Sequence, residues 1–419
     1  MRHKNPSPHF INVCHPNNRI TIKSLIFLWR YRKMKKSIFV ITILFLAIIP
    51  DAQELQHHAM AINVEIPVRV FKGDRFIDHL TMRDFEVYED GVLQKIDAVY
   101  LVKKNRIARE ETTMNKEEAR QKYAPQVARN YVLVFEVTDY LPRIKEAMDL
   151  FFEKVISPQD SLTVVTPVKT YRFNKKALTK MPREKISSHM NEILRMDITS
   201  GCREYHSMLR DYLNVMESEF SNQEKLYILR EKIRQFSQMM DLNAKKIRDF
   251  ADYVKKLPGQ KFVFLFYQRE IYPYPEIPFE SFEYMELKSE LMTLVPQNIA
   301  KIMQNYSDSS VTIHFLYITK PQREIAAEYN THKPGLMWED ISSGIFSTFL
   351  EMAQSTGGIA DSSANIAFTL KKAADASENY YLLYYTPMNY EADGKFHKIK
   401  VKVRGIDCRV NHRAGYIAD

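Results

Sequence analysis

Cysteine, tryptophan and glycine are scarce in this chain of 419 residues, which holds three, two and 11 of them. Three cysteines make no disulfide framework, and no Cys/His pattern has the spacing of a zinc site. A glycine-rich phosphate-binding loop and a Gly-x-Ser-x-Gly elbow are both missing, so phosphate cradling and serine-nucleophile chemistry have no local motif. Gly357-Gly358 follows no strand and reads as a helix-ending turn. The longest apolar run falls short of the roughly 20 residues that a membrane span needs.

Excess charge of one sign is missing too, once its location is considered. The formal charge is +9, but residues 1–52 carry nine basic side chains against Asp51, and the rest of the chain holds 51 basic and 50 acidic groups. Nucleic-acid binding therefore loses its electrostatic footing. From Met34 the sequence runs "MKK", "SIFVITILFLAII", "PDAQELQ", the shape of a secretory signal over 34–53 with Ala52 near the cleavage point. Export to a secreted or periplasmic location is expected, with residues 1–33 an upstream extension and a membrane role only if the segment stays uncleaved. Cys14 lies in that extension. Cys202 and Cys408 are expected as separate, buried thiols.

What is present is a chain that changes texture twice. Residues 62–104 alternate apolar and polar residues between turn signals, as short antiparallel strands do. About 40 residues cannot close a core alone. Matching strands come at the end, over 380–419, so the expected architecture is a small antiparallel β-sandwich in two halves. Residues 105–129 read as a charged linker. Between linker and second half, over 130–379, buried strands alternate with helices, which predicts an α/β fold with a doubly wound, mostly parallel sheet. Helices are expected over Arg143–Val155, Glu184–Arg195, Phe282–Asn305 and Ser342–Ser355. Residues 203–257 contain neither Gly nor Pro and read as a helical insertion, in which one helix of the sheet domain is extended by a helical hairpin.

The run "NYVLVFEVTDYLPR" places Glu136, Thr138 and Asp139 where a buried strand ends, the position at which open α/β sheets bind ligands. Together with "LTMRDFEVYEDGVLQKI" and "MAQSTGGIADSSANIAFTLKKAADASENYYLLYYTP…DGKFHKIKVKVRG…VNHRAGY", it resembles secreted proteins of the von Willebrand factor type A (VWFA) family of the acidobacterial type. The resemblance implies a Rossmann-like VWFA domain, export, and an Mg²⁺ adhesion site at the sheet's carboxyl edge. Laid on that pattern, the oxygen ligands fall at Glu136, Thr138, Tyr140, Cys202 and Tyr267, with Thr199 or Ser200 as substitutes in a shifted loop. A Tyr ring fills the space of a ligand there, and a thiol is too soft for Mg²⁺. A degenerate site is expected, with no cofactor and Glu136, Thr138 and Asp139 as vestiges; Mg²⁺ is the ion of the alternative.

Cys202 and His206 stand four apart, a thiol–imidazole spacing on one helix face. No orienting third group can be named, so the pair is read as coincidence. His57-His58 reads as part of a terminal segment. The segment "YQREIYPYPEIPFESFEY" supplies Tyr267, Tyr272, Tyr274 and Phe279 as aromatic anchors, and "KPGLMW" adds Trp338. These read either as a binding rim for an unidentified protein partner or as a loop packed down over the rim in the space a metal would have occupied; the first is the main expectation, with no small-molecule substrate and no enzymatic activity. The alternatives are a divalent-cation-dependent adhesion module and a self-associating envelope protein.

Overall fold

A computed structural model describes residues 62–240, 244–268, 271–275, 299–319, 336–340, 343–363 and 365–418. The leader and His57-His58 lie outside these residues. The chain begins with strands β1 (Val64–Lys72), β2 (Arg75–Phe76), β3 (Phe85–Glu89), β4 (Val92–Gln94), β5 (Ile96–Lys103) and β6 (Arg106–Thr112), then helix α1 (Lys116–Tyr123). Next come β7 (Arg129–Glu136), α2 (Pro142–Leu150), β8 (Ser161–Val165), β9 (Thr170–Phe173), α3 (Lys175–Lys180), α4 (Arg183–Gly201), α5 (Arg203–Glu217), α6 (Asn222–Met240) and α7 (Ala244–Lys255). The rest comprises β10 (Gln260–Gln268), β11 (Ile271–Pro275), α8 (Ile299–Asp308), β12 (Val311–Ile318), β13 (Leu336–Asp340), α9 (Ser343–Ser355), β14 (Ala360–Ser363), α10 (Ile366–Glu378), β15 (Asn379–Tyr385), β16 (Phe396–Val403), β17 (Arg409–Asn411) and β18 (Gly415–Ile417). The fold is mixed α/β with several sheets.

Strand alternation at the two ends produces two antiparallel sheets, ordered β17-β1-β15-β5-β6 and β18-β16-β3-β4. Val64, Ile66 and Val68 of β1, with Tyr381, Leu383 and Tyr385 of β15, meet Phe85, Val87, Ile399 and Val401 of the second sheet in one apolar cluster. Each fully buried side chain of this size contributes about 1.5–3 kcal/mol. Residues 105–128, expected as a linker, form β6 and α1 instead. Backbone pairing to β5 holds the charged strand β6. Asn115 caps α1 by accepting from Glu117 N–H, and the helix buries only Ala119 and Tyr123, too sparse a stripe to register as helical.

The larger sheet has the order β14-β12-β10-β7-β8-β9. Neighbours are parallel except β9, which runs antiparallel to β8. Its strands are apolar on both faces because both are covered. Leu133, Phe135, Phe264 and Phe266 face α2, α4 and α10 through Ile144, Met148, Leu194, Ile198 and Leu370. Val263, Leu265, Ile313 and Phe315 face Val254 of α7, Tyr306 of α8 and Met352 of α9. α7 therefore covers the sheet as the helix expected of the sheet domain, and α5 with α6 forms the hairpin. The helix expected over Arg143–Val155 changes at Phe151 into a π-helical turn ending at Val155. Of the helix expected over Phe282–Asn305, the described part begins at Ile299. The strand expected from Cys408 to Ile417 is two: β17 pairs with β1 and β18 with β16. Neither Cys202 nor Cys408 is in a disulfide, and Cys408 is half-buried.

Gly357-Gly358 does end a helix. Gly357 has φ +74, its N–H bonds Gln354 O at 3.1 Å, and Gly358 N–H bonds Ala353 O at 2.8 Å, the paired bonds of a Schellman cap. The same turn meets a buried polar seam. Arg69, 1% exposed, donates to Ala376 O at 2.8 Å, Gly357 O at 3.3 Å and Thr312 Oγ1 at 3.3 Å. Burial lowers its guanidinium to about 10. Beside it, His314 is fully buried and stacked on Phe264 at 5.0 Å. Its Nδ1 accepts from Ile359 N–H at 3.3 Å, so the neutral ring carries its proton on Nε2, 2.8 Å from Ser377 Oγ. That hydroxyl in turn donates to Ala373 O. At the amino edge of the sheet, Arg129 and Asp160 form a two-pronged ion pair at 3.1 and 2.8 Å, with side chains 3% and 1% exposed.

Candidate functional site: the carboxyl rim of the central sheet

Numbered by order along the chain, the six strands of the larger sheet lie 3-2-1-4-5-6, so the direction of winding reverses between β7 and β10. At such a switch point the loops after the two strands diverge and leave a crevice. Glu136 ends β7 opposite Tyr267 of β10, and the residues just beyond them, Asp139 and Gln268, meet at this point.

The loop Val137–Asp139 is fixed from three directions. Cys202, between α4 and α5, donates its S–H to Val137 O at 3.1 Å. His206, one turn into α5, places Nε2 2.9 Å from Thr138 O and 3.3 Å from Asp139 Oδ1. Both partners are acceptors, so Nε2 carries the hydrogen. Gln268, 1% exposed at the end of β10, accepts from Asp139 N–H at 2.6 Å and donates to Asp139 Oδ2 at 3.3 Å. Thr138 Oγ1 also lies 3.4 Å from Asp139 Oδ2. The i,i+4 spacing of Cys202 and His206 thus has a purpose that the sequence did not reveal: it aims both side chains at consecutive carbonyls of one loop.

The chemistry of this cluster is set by its proton inventory. Cys202 is a thiol in its contact with Val137 O, because only S–H can donate to a carbonyl. Its hydrogen is directed at the backbone, and the Nε2–H of His206 is directed there too, so the two are arranged as struts. Asp139 is the carboxylate of the group, held by an amide and an imidazole.

The positions expected as metal ligands differ in exposure and in partners. Glu136 is exposed on the strand end and Asp139 is half-buried in the loop. Thr199 and Ser200 lie exposed in the last turn of α4, with Ser200 Oγ bonding Asp197 O at 3.3 Å. Tyr140 is half-buried against the core, and burial pushes its phenol above the usual range. Among the described residues, no group of three or more His, Cys, Asp or Glu is arranged to hold a metal ion. A soft thiol, an imidazole and one amide-bound carboxylate do not fit Mg²⁺, which demands an octahedron of oxygens.

Tyr267 corrects the reading of it as a surface anchor. It is 5% exposed, stacks on Tyr317 at 6.1 Å and packs against Phe315 and Phe349. Alternation along β10 turns it into the covered face. The other aromatic positions come directly after it. β11 and β13 form an antiparallel ribbon beyond the end of β10, in which Tyr272 pairs with Glu339, Pro273 with Trp338 and Tyr274 with Met337. Phe279 lies outside the described residues. Gln268, by contrast, was missed in the sequence. The available signal was an amide closing the apolar run "KFVFLFYQ", on the same strand face as Phe264 and Phe266.

No protein-family model matches the chain, and no curated protein matches it. Among solved structures, the human COPII-coat protein Sec24c aligns over 69% of this chain and 44% of that chain, with 8% identity and a TM-score of 0.29. The chain thus spans less than half the length of that protein, and so slight a likeness carries no argument. Among the described residues, no helix is long and apolar enough to cross a membrane.

Proposed function

We propose that this chain is an exported, non-enzymatic adhesion or scaffold module that holds a protein partner on the carboxyl rim of a VWFA-like domain whose metal site has degenerated. The 3-2-1-4-5-6 strand order with an antiparallel third strand supports that fold assignment. The observation that carries the functional reading is the loop Val137–Asp139, tied down by Cys202, His206 and Gln268, the last of these at the end of the strand that leads into the β11–β13 ribbon. A rim fixed in advance loses little conformational entropy when a partner docks. Tyr272, Tyr274 and Trp338 supply the aromatic residue types that dominate binding hot spots.

The test is a cross-linked pull-down from the exported fraction, with the wild type compared against a Tyr272→Ser/Tyr274→Ser/Trp338→Ser triple variant, each with and without EDTA. One protein enriched by the wild type, lost with the variant and indifferent to EDTA is the expected result. Enrichment unchanged by the triple variant would overturn the rim as the binding surface, and release by EDTA would favour the divalent-cation module.

A further inference from the structure

The hairpin of α5 and α6 carries, on α6, a surface that includes none of the residues tying down the rim loop. α5 turns its apolar side inward, burying Met208, Leu209, Tyr212 and Leu213, and α6 returns along it with Leu229 buried. Ser221 and Glu224 start α6 with a capping box: Glu224 Oε2 accepts from Ser221 N–H at 3.0 Å and from its hydroxyl at 2.7 Å, and Ser221 Oγ accepts from Glu224 N–H at 3.3 Å. The helix start is therefore well defined up to the tip.

Along the outer side of that start, Phe220, Gln223, Glu224, Tyr227 and Ile228 line one shallow groove of about 340 Å³. Gln223, Glu224, Tyr227 and Ile228, three and four residues apart, make a stripe along one face of α6, which Phe220 extends from just before the Ser221 cap. It is not a core stripe, because Phe220 is 50% and Tyr227 81% exposed. Leaving aromatic rings in water is unfavourable, and such patches mark interaction sites. The groove is also acidic: Glu224 lines it between the two aromatic residues, exposed Glu219 precedes Phe220 in the chain, and the capping bonds to Glu224 end on Oε2.

We infer that this groove docks a cationic amphipathic helix of a partner protein, its aliphatic side chains between Phe220 and Tyr227 and its Lys or Arg side chains on Glu219 and Glu224. The charge selects that occupant. An anionic lipid surface or a nucleic acid would meet carboxylates of its own sign. A second copy joined by a two-fold axis would bring Glu219 and Glu224 against themselves, since such an interface pairs one patch with itself.

The experiment uses the purified full chain and a fluorescein-labelled Leu/Lys amphipathic peptide about five helical turns long, read by fluorescence anisotropy. A Leu/Glu peptide of the same pattern is the comparator. The wild type is expected to bind the Leu/Lys peptide and weaken about tenfold between low and physiological salt as the charges are screened. Tyr227→Ala and the double change Glu219→Lys/Glu224→Lys are each expected to weaken binding about tenfold or more, as loss of a hot-spot side chain does. Tyr227 is exposed, so the Tyr227→Ala fold should be intact, and circular dichroism checks it. Equal binding of the two peptides, unchanged binding by either variant, or a Tyr227-dependent dimer in sedimentation would each overturn the inference. The rim is untouched in all of these variants.

Discussion

Protonation of His314 should unfold this protein from within. The ring is fully buried, its Nδ1 accepts from Ile359 N–H, and Arg69 lies beside it. Placing a proton on Nδ1 would set N–H against N–H and add a second cation to a seam that already contains one. Burial first, and Arg69 second, hold the imidazole well below 6.5. The folded value is depressed, so the unfolded chain takes up the proton first as pH falls. His314's contribution is therefore intact above pH 6.5 and declines below it, until the folded ring itself titrates. Over the range in which the folded ring stays neutral, the loss grows by about 1.4 kcal/mol for each pH unit below 6.5. His412, also lowered by burial, adds to the same slope, whereas His397 is raised and opposes it. For His397, burial lowers the value, but hydrogen bonds to Asp90 and Asp393 outweigh it. A difference measurement removes both. His314→Gln keeps one acceptor and one donor but cannot titrate. Urea denaturation of the wild type and His314→Gln at several pH values should show the wild type losing up to about 1.4 kcal/mol more per pH unit below 6.5. Parallel curves would refute the reasoning, as would an NMR signal from His314 titrating near pH 6.5.

Two further perturbations test the frame that carries the rim. Gln268→Leu removes both bonds to Asp139, and the loss of a buried partner costs about 1–3 kcal/mol; hydrogen exchange at the Asp139 amide should quicken while the exchange of β7 stays slow. Asp160→Leu leaves the Arg129 guanidinium buried without its carboxylate, which should lower stability by about 3–5 kcal/mol in guanidinium chloride denaturation. A loss below about 1 kcal/mol there would mean that the guanidinium finds water instead.

The doubly wound part of the fold was legible because its signal is local. A run such as "KFVFLFYQ" is apolar at every position only if both faces of its strand are covered, and β10 has α2, α4 and α10 on one side and α7, α8 and α9 on the other. Other elements carried no such signal. β6 is charged on both faces and exists through pairing with β5, and α1 buries two residues only. The split of 408–417 into two strands reflects two sheets competing for one segment, and which sheet is within reach is a matter of chain topology.

At the rim, residue chemistry and residue placement separate. Tyr140, Cys202 and Tyr267 are poor ligands for a hard cation wherever they lie, because ring and thiol identity is independent of the fold. The sequence therefore determined by itself that the expected oxygen set is incomplete, and that α/β texture lies between two stretches of antiparallel strand. Only the tertiary structure decided what occupies the strand end. Cys202 and His206 reach Val137 and Thr138 across more than sixty residues of sequence, Gln268 reaches Asp139 across more than a hundred, and Tyr267 turns away into the core. Hydrogen bonds and contacts of that span depend on which strands become neighbours, and strand order is set by the packing of the whole sheet.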